Sequence, residues 1–313
     1  METNSFIESL SMILDESKQY SMIMEDTYYI HEISLSDKIR KIDFKKIFKF
    51  IFDKFIEILK AIWDRFRAAY HEFTSKSTLL KKYRKQLENI DWDVNIDTER
   101  SIFTNLDSST HIGMYKMTLD AQYSALVGAL QNISNTNGIG NIHTIILDIK
   151  NNLEPLDSFL DQQRGDSIGS RSSISKEDYA KAVVDYFKPE KKIVSTTIHP
   201  SETKQYTKDY FESKTIEKAI TKDESILRST AKSMTTKMEG LNISNYVPEK
   251  EINTEIGNGF LEIIKEYCNR VRGICDIYIQ LFSIKLDMFK MYKEQQVKIL
   301  SKIILKSMKE GKM

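Results

Sequence analysis

Five histidines, two cysteines and one glycine-rich turn are the residues from which metal, nucleophilic or phosphate chemistry could be built in this 313-residue chain. His31-Glu32 and His71-Glu72 each begin like the helical zinc-hydrolase pattern, in which a second histidine four places on shares the metal. That second histidine is missing in both, and His111, His143 and His199 are dispersed. "NGIGN", Asn137 to Asn141, has the glycines of a phosphate-cradling turn. No Lys-Ser/Thr pair follows it and no strand precedes it, so it reads as a helix-to-helix turn. Cys268 and Cys275 are seven apart on one predicted helix. They share a face with their Cα atoms about 10 Å apart, beyond disulfide reach, and read as two small buried hydrophobes. Neither has a histidine nearby in sequence, and no serine sits in a Gly-x-Ser-x-Gly elbow. "RGD", Arg164 to Asp166, is a common tripeptide. The expectation is a chain with no catalytic, cofactor or metal site, and not an enzyme.

The elements that would position any site are helical. Glycine and proline number 11 and 4, too few for the turns of a β-rich chain of this length. Lys and Arg number 46 against 45 Asp and Glu, so no global field recruits nucleic acid. The first residues, "METNSFIESLSMILDES", carry acids where a secretory signal carries bases. No uncharged apolar run approaches the ~18 residues of a spanning helix. These features predict a protein made in the cytoplasm and not threaded through a bilayer.

Three regions follow along the chain. Residues 1–90 read as an N-terminal helical region: helix over Ser5 to Ile33, a polar joint at "SLSDKIRK", an aromatic-rich helix over 43–73, and a basic helix over Leu79 to Ile90. Residues 91–111 hold a short β segment. In "DWDVNIDTERSIFTNL", Trp92, Val94 and Ile96 alternate with Asp93, Asn95 and Asp97, and "SIFTNL" offers a second strand for a small hairpin-like insertion. Residues 112–313 form a C-terminal helical bundle with a kink at Pro155, a loop over 164–175 and a capping box at Ser175 with Asp178. "KPEKKIVSTTIHPSE" reads as a connector before polar helices over 203–239. One very long terminal helix spans 249–309, with Gly257, Gly259 and Gly273 as its weak points. The predicted fold is mainly α: an elongated helical bundle with a long C-terminal helix and a small β-hairpin-like insertion.

"FKKIFKFIFDKFIEILKAIWDRF", Phe44 to Phe66, is the segment richest in information. At about 100° per residue its apolar residues fill a half-circle, wider than the stripe of an ordinary surface helix. Phe44, Phe48, Phe52, Phe55, Trp63 and Phe66 make it a candidate interaction surface. Lys46, Lys49, Asp53, Glu57, Lys60, Asp64 and Arg67 lie opposite, with Phe50 alone among them. Two environments accept such an arc: neighbouring helices of the same chain or assembly, or a membrane surface. The acids diluting the lysines favour protein as the cover. Lys81, Lys82, Arg84 and Lys85, around Tyr83, form a candidate basic patch that could touch nucleic-acid phosphates, with a solvated face as its plainer reading.

Three stretches together carry a resemblance. "FKFIFDKFIEILKAIWDRF" leads into "TLLKKYRKQLENI" and "WDVNID…SIFTNL", and the chain ends in "YCNRVRGICDIYIQLFSIKLDMFKMYKEQQVKILSKII". This order resembles a loosely defined group of virion structural proteins from large tailed bacteriophages. The match covers the first third and the last fifth of the chain, and "SIFTNL" lacks the tyrosine that the group places before this phenylalanine. The resemblance implies a non-enzymatic particle component internal to the head, with other virion proteins or a second copy as its partners. The alternative expectation is a membrane-active protein using the 43–73 helix at a bilayer surface.

Overall fold

The computed structural model describes residues 40, 43–76, 78–102, 109–135, 190–211, 214–247 and 254–313. Expectations for the 5–33 helix, Phe103 to Leu106, "NGIGN", Pro155, the 164–175 loop and Ser175 with Asp178 lie outside the described residues. The elements run α1 (Phe44–Lys76), α2 (Thr78–Lys82), α3 (Arg84–Glu88), β1 (Val94–Ile102), α4 (Ser109–Asn135), β2 (Glu190–Ile198), α5 (Pro200–Phe211), α6 (Lys214–Gly240), a 3-10 turn (Ile243–Tyr246) and α7 (Thr254–Lys309). The fold is mainly α, with a small antiparallel sheet.

Local chemistry sets the helix ends. Asp43 caps α1, its carboxylate accepting the Lys46 N–H at 3.1 Å. His199 caps α5 in a capping-box arrangement, its N–H donating to Glu202 Oε2 at 3.1 Å, with Pro200 at the first helical position. α7 closes with Gly311 at φ 67°, where Gly311 N–H reaches Met308 O and Lys312 N–H reaches Ser307 O at 2.9 Å. That double closure needs a residue at ease with positive φ. The basic helix expected over 79–90 is broken at Tyr83, which separates α2 from α3. The glycines expected to weaken α7 do not interrupt it. Gly257, Gly259 and Gly273 are helical and buried, so packing of their apolar neighbours offsets the roughly 1 kcal/mol that each glycine costs.

Among the described residues, two hydrophobic cores are strung along α7. The first is a four-helix arrangement of α1, α4, α6 and α7, whose centre includes Phe48, Phe52, Tyr115, Leu227, Tyr267 and Tyr278. Ring contacts fix the directions. Phe48 meets Tyr267, Trp63 meets Phe282 and Phe66 meets Phe289, so α1 and α7 run parallel. Met238 meets Tyr267 while Asp223 meets Lys285, so α6 runs against α7. The second core gathers Leu80, Leu87, Ile90, Val94, Ile96, Ile198, Tyr210 and four isoleucine or leucine side chains of the last α7 turns, Ile299, Leu300, Ile303 and Ile304. At about 1.5 Å per residue, the 56 residues of α7 extend about 84 Å.

The sheet departs from a local hairpin. β1 alternates as expected, with Val94 and Ile96 buried and Asp93, Asn95 and Asp97 exposed. Its partner, however, is β2, paired antiparallel from Val94↔Ile198 to Ile102↔Glu190. The connector is thus a strand. "IVSTTI" is β-branched at five of its six positions, a strand signal by composition. Its flanking lysines and hydroxyls blur the alternation by which a strand is usually recognised.

Candidate interaction surfaces

The aromatic face of α1 is turned into the chain. Phe44, Phe48, Phe52 and Phe55 are 6%, 1%, 0% and 2% exposed, and Trp63 and Phe66 are half-buried. Phe55 stacks on Tyr115 of α4 at 5.3 Å between centroids. Tyr115 in turn lies 4.7 Å from the Tyr278 ring of α7. The candidate interaction surface is therefore an internal one: α6 and α7 cover the rings and leave Asp53, Glu57, Lys60, Asp64 and Arg67 in solvent. The reason is geometric, because a half-circle of rings fits a position between two neighbouring helices. Phe50, the ring among the charges, is half-buried beneath Lys54, whose Nζ lies 6.0 Å from its centroid.

Lys81, Lys82, Arg84 and Lys85 are all exposed, on α2 and α3. Neighbours already engage part of this patch. Arg84 Nε donates to Glu88 Oε1 at 2.7 Å, and its guanidinium lies 4.6 Å from the Phe211 ring. Lys82 Nζ lies 5.3 Å from the Tyr83 ring. The apolar neighbours on the same turns, Leu80 and Leu87, anchor the patch in the second core. Among the described residues, four large apolar side chains are exposed: Leu79, Met117, Leu305 and Met308.

Between the two cores lies a buried cation that sequence reading missed. Lys293, 1% exposed, donates to the Asp209 backbone carbonyl and sits 5.8 Å from the Phe289 ring and 6.0 Å from the Tyr210 ring. Phe289 belongs to the first core and Tyr210 to the second. In the sequence, Lys293 looks like any lysine on a helix; only the helix phase, between Phe289 and Val297, hints that it faces inward. In the first core, Cys275 Sγ lies 3.5 Å from Tyr115 Oη, and burial pushes both Tyr115 and Tyr267 well above the ordinary phenol value. Burial likewise pushes the Cys268 thiol up to about 12, so it stays protonated and unreactive at neutral pH. Cys268 and Cys275 are the buried hydrophobes that their spacing predicts.

The sheet and α7 are joined through backbone carbonyls of β1. Lys306 Nζ donates to Asn95 O at 2.7 Å, and Lys302 Nζ donates to Asp97 O. The two lysines are four apart on one helix face and the two carbonyls two apart on one strand edge, so the spacings match. At the mouth of the sheet, His199 Nδ1 lies 2.9 Å from Asp93 Oδ1, both side chains being more than half exposed. The hydrogen bond and charge of Asp93 raise the His199 pKa above its ordinary 6.5, and Glu202 adds to the rise. A raised folded value means that the pair's stabilisation is complete below the unfolded value and is lost as pH rises through the folded one. A proton-NMR titration should place the His199 midpoint above 6.5. Asp93→Asn should bring it down, and an unchanged midpoint would disprove the pairing in solution.

Among the described residues, no three His, Cys, Asp or Glu side chains converge in a way that could hold a metal ion. Among them, too, no helix is long and apolar enough to cross a membrane. No family model, no curated protein and no solved structure matches this chain.

Proposed function

We propose that this chain is a non-enzymatic structural and interaction protein of a tailed-bacteriophage particle, internal to the head, acting through helix packing and assembly contacts. The observation that carries the reading is α7, one unbroken helix on which two separate cores are built. A continuous helix holds two packing centres at a fixed separation, as a particle component that spans a distance requires. Supporting it is the ordered set of motifs from the aromatic helix through "LLKKYRKQLENI" to the tyrosine-spaced terminal helix. The partners are other virion proteins or a second copy, and the protein is made in the host cytoplasm before joining the virion. A bilayer role for α1 would need Phe48, Phe52 and Phe55 turned outward, against their burial under α6 and α7.

Mass spectrometry of particles purified from the phage whose genome carries this sequence tests the proposal. The chain should be present at a fixed ratio to the major head protein through successive high-salt washes. Its absence from clean particles, or its loss at the first wash, would remove the reading.

A further inference from the structure

We propose that the lysine row on the last turns of α7 is a binding face for the phosphate backbone of double-stranded DNA. Charges cancel over the whole chain, 46 against 45, but not here. From Lys298 to Lys309 the helix carries Lys298, Lys302, Lys306 and Lys309 and no acid. At about 100° per residue the four fall within an arc of roughly 80°. They span about 16 Å of axis at about 1.5 Å per residue. Lys298, Lys302 and Lys309 are exposed.

The charges of this row are not answered by acids. Among the described residues, none of the four has a carboxylate within ion-pair distance. Lys302 and Lys306 are held by the backbone carbonyls of Asp97 and Asn95, which fix the ammonium groups without neutralising them. Glu310, the next acid along the chain, is taken by Lys312 at 2.9 Å. The negative end of the helix dipole accounts for cations in the final turn, Lys306 and Lys309. It does not reach Lys298, about three turns earlier.

A straight row of charge suits a polymer of the opposite charge. Duplex DNA carries one negative charge per about 1.7 Å of axis, and each lysine that meets a phosphate releases a condensed counterion. An anionic bilayer fits less well. Interfacial helices bury a full apolar face that includes Trp or Phe, whereas residues 293–313 hold no aromatic residue and expose only Leu305 and Met308 as large apolar side chains. The patch at Lys81 to Lys85 differs from the row, since Glu88 already pairs with Arg84 there. The choice of DNA among polyanions rests on the proposed place inside the head. Binding is tested on purified chain, so its failure leaves particle membership untouched.

Fluorescence anisotropy of a short labelled duplex, titrated with the full chain, should show binding that weakens with salt. Four phosphates predict a log–log slope of about −3.6. Lys298→Glu with Lys309→Glu should weaken binding at least about tenfold at low salt and flatten the slope by about 1.8. Lys45→Glu with Lys49→Glu makes the same charge change on the exposed side of α1 and should leave binding as it was. Both variants should keep the helical circular dichroism of the parent. Lys298→Gln with Lys309→Gln takes the place of the first pair if that one does not fold. No salt-dependent DNA binding by the unaltered chain overturns the proposal, whether or not phosphatidylserine vesicles retain it. So does an equal loss from the α1 pair.

Discussion

A chain carrying Phe52→Asp and Phe55→Asp is expected in the insoluble fraction, with no cooperative thermal transition in whatever stays soluble. Both rings are essentially inaccessible, at 0% and 2% exposure, and both belong to the first core. Truncating a buried phenylalanine costs about 3–5 kcal/mol, so two together remove stability comparable to the roughly 5–15 kcal/mol of a whole domain. Aspartate adds a charge that must either be desolvated or protonated. Phe55→Leu, which keeps an apolar body beside Tyr115, should remain soluble with a lowered melting temperature. Normal soluble yield and an unshifted melt for the double aspartate variant would mean that α1 is not packed where it is described.

Gln295→Pro is expected to split one unfolding transition into two. Position 295 lies in α7 between the last first-core ring, Phe289, and the first buried isoleucine of the second core, Ile299. Proline there removes a backbone donor and pushes against the preceding turn, costing about 3 kcal/mol or more. The penalty falls on the link between cores rather than inside either. Residues 292 to 298 carry the polar seam around Lys293, which holds Asp209 of α5 against the helix. Calorimetry on the unaltered chain should give one peak and on the variant a low-temperature peak from the smaller core. A single peak at the original temperature would show that the cores do not depend on α7 continuity.

How much of this was legible depended on whether partners were local or distant. The aromatic face of α1 needed nothing but helical phase, and its burial followed from residue type. The same holds for Val94 and Ile96 in β1 and for the apolar rhythm of α7. The strand partner of β1 did not follow, because it lies about ninety residues on and nothing local in "DWDVNID" points there. β2 itself was masked by "EKK" and by hydroxyl side chains that suit a loop as well as a strand. Lys293, Lys302 and Lys306 look alike in sequence, yet one is buried between rings and two tie a helix to a strand edge. Charge was read as solvation, and in these three cases the amphipathic lysine stem made it a structural contact.

The order of synthesis now matters in a way that composition does not reveal. Both cores are completed by the same helix, α7, which follows every other described element along the chain. Until it is made, the phenylalanines of α1 lack the wall that shields them, and the Leu80–Ile96 cluster lacks its floor. The nascent chain therefore carries an oily stripe until α7 has emerged, which makes it a client for holding chaperones and ties its yield to how quickly those 56 residues are made.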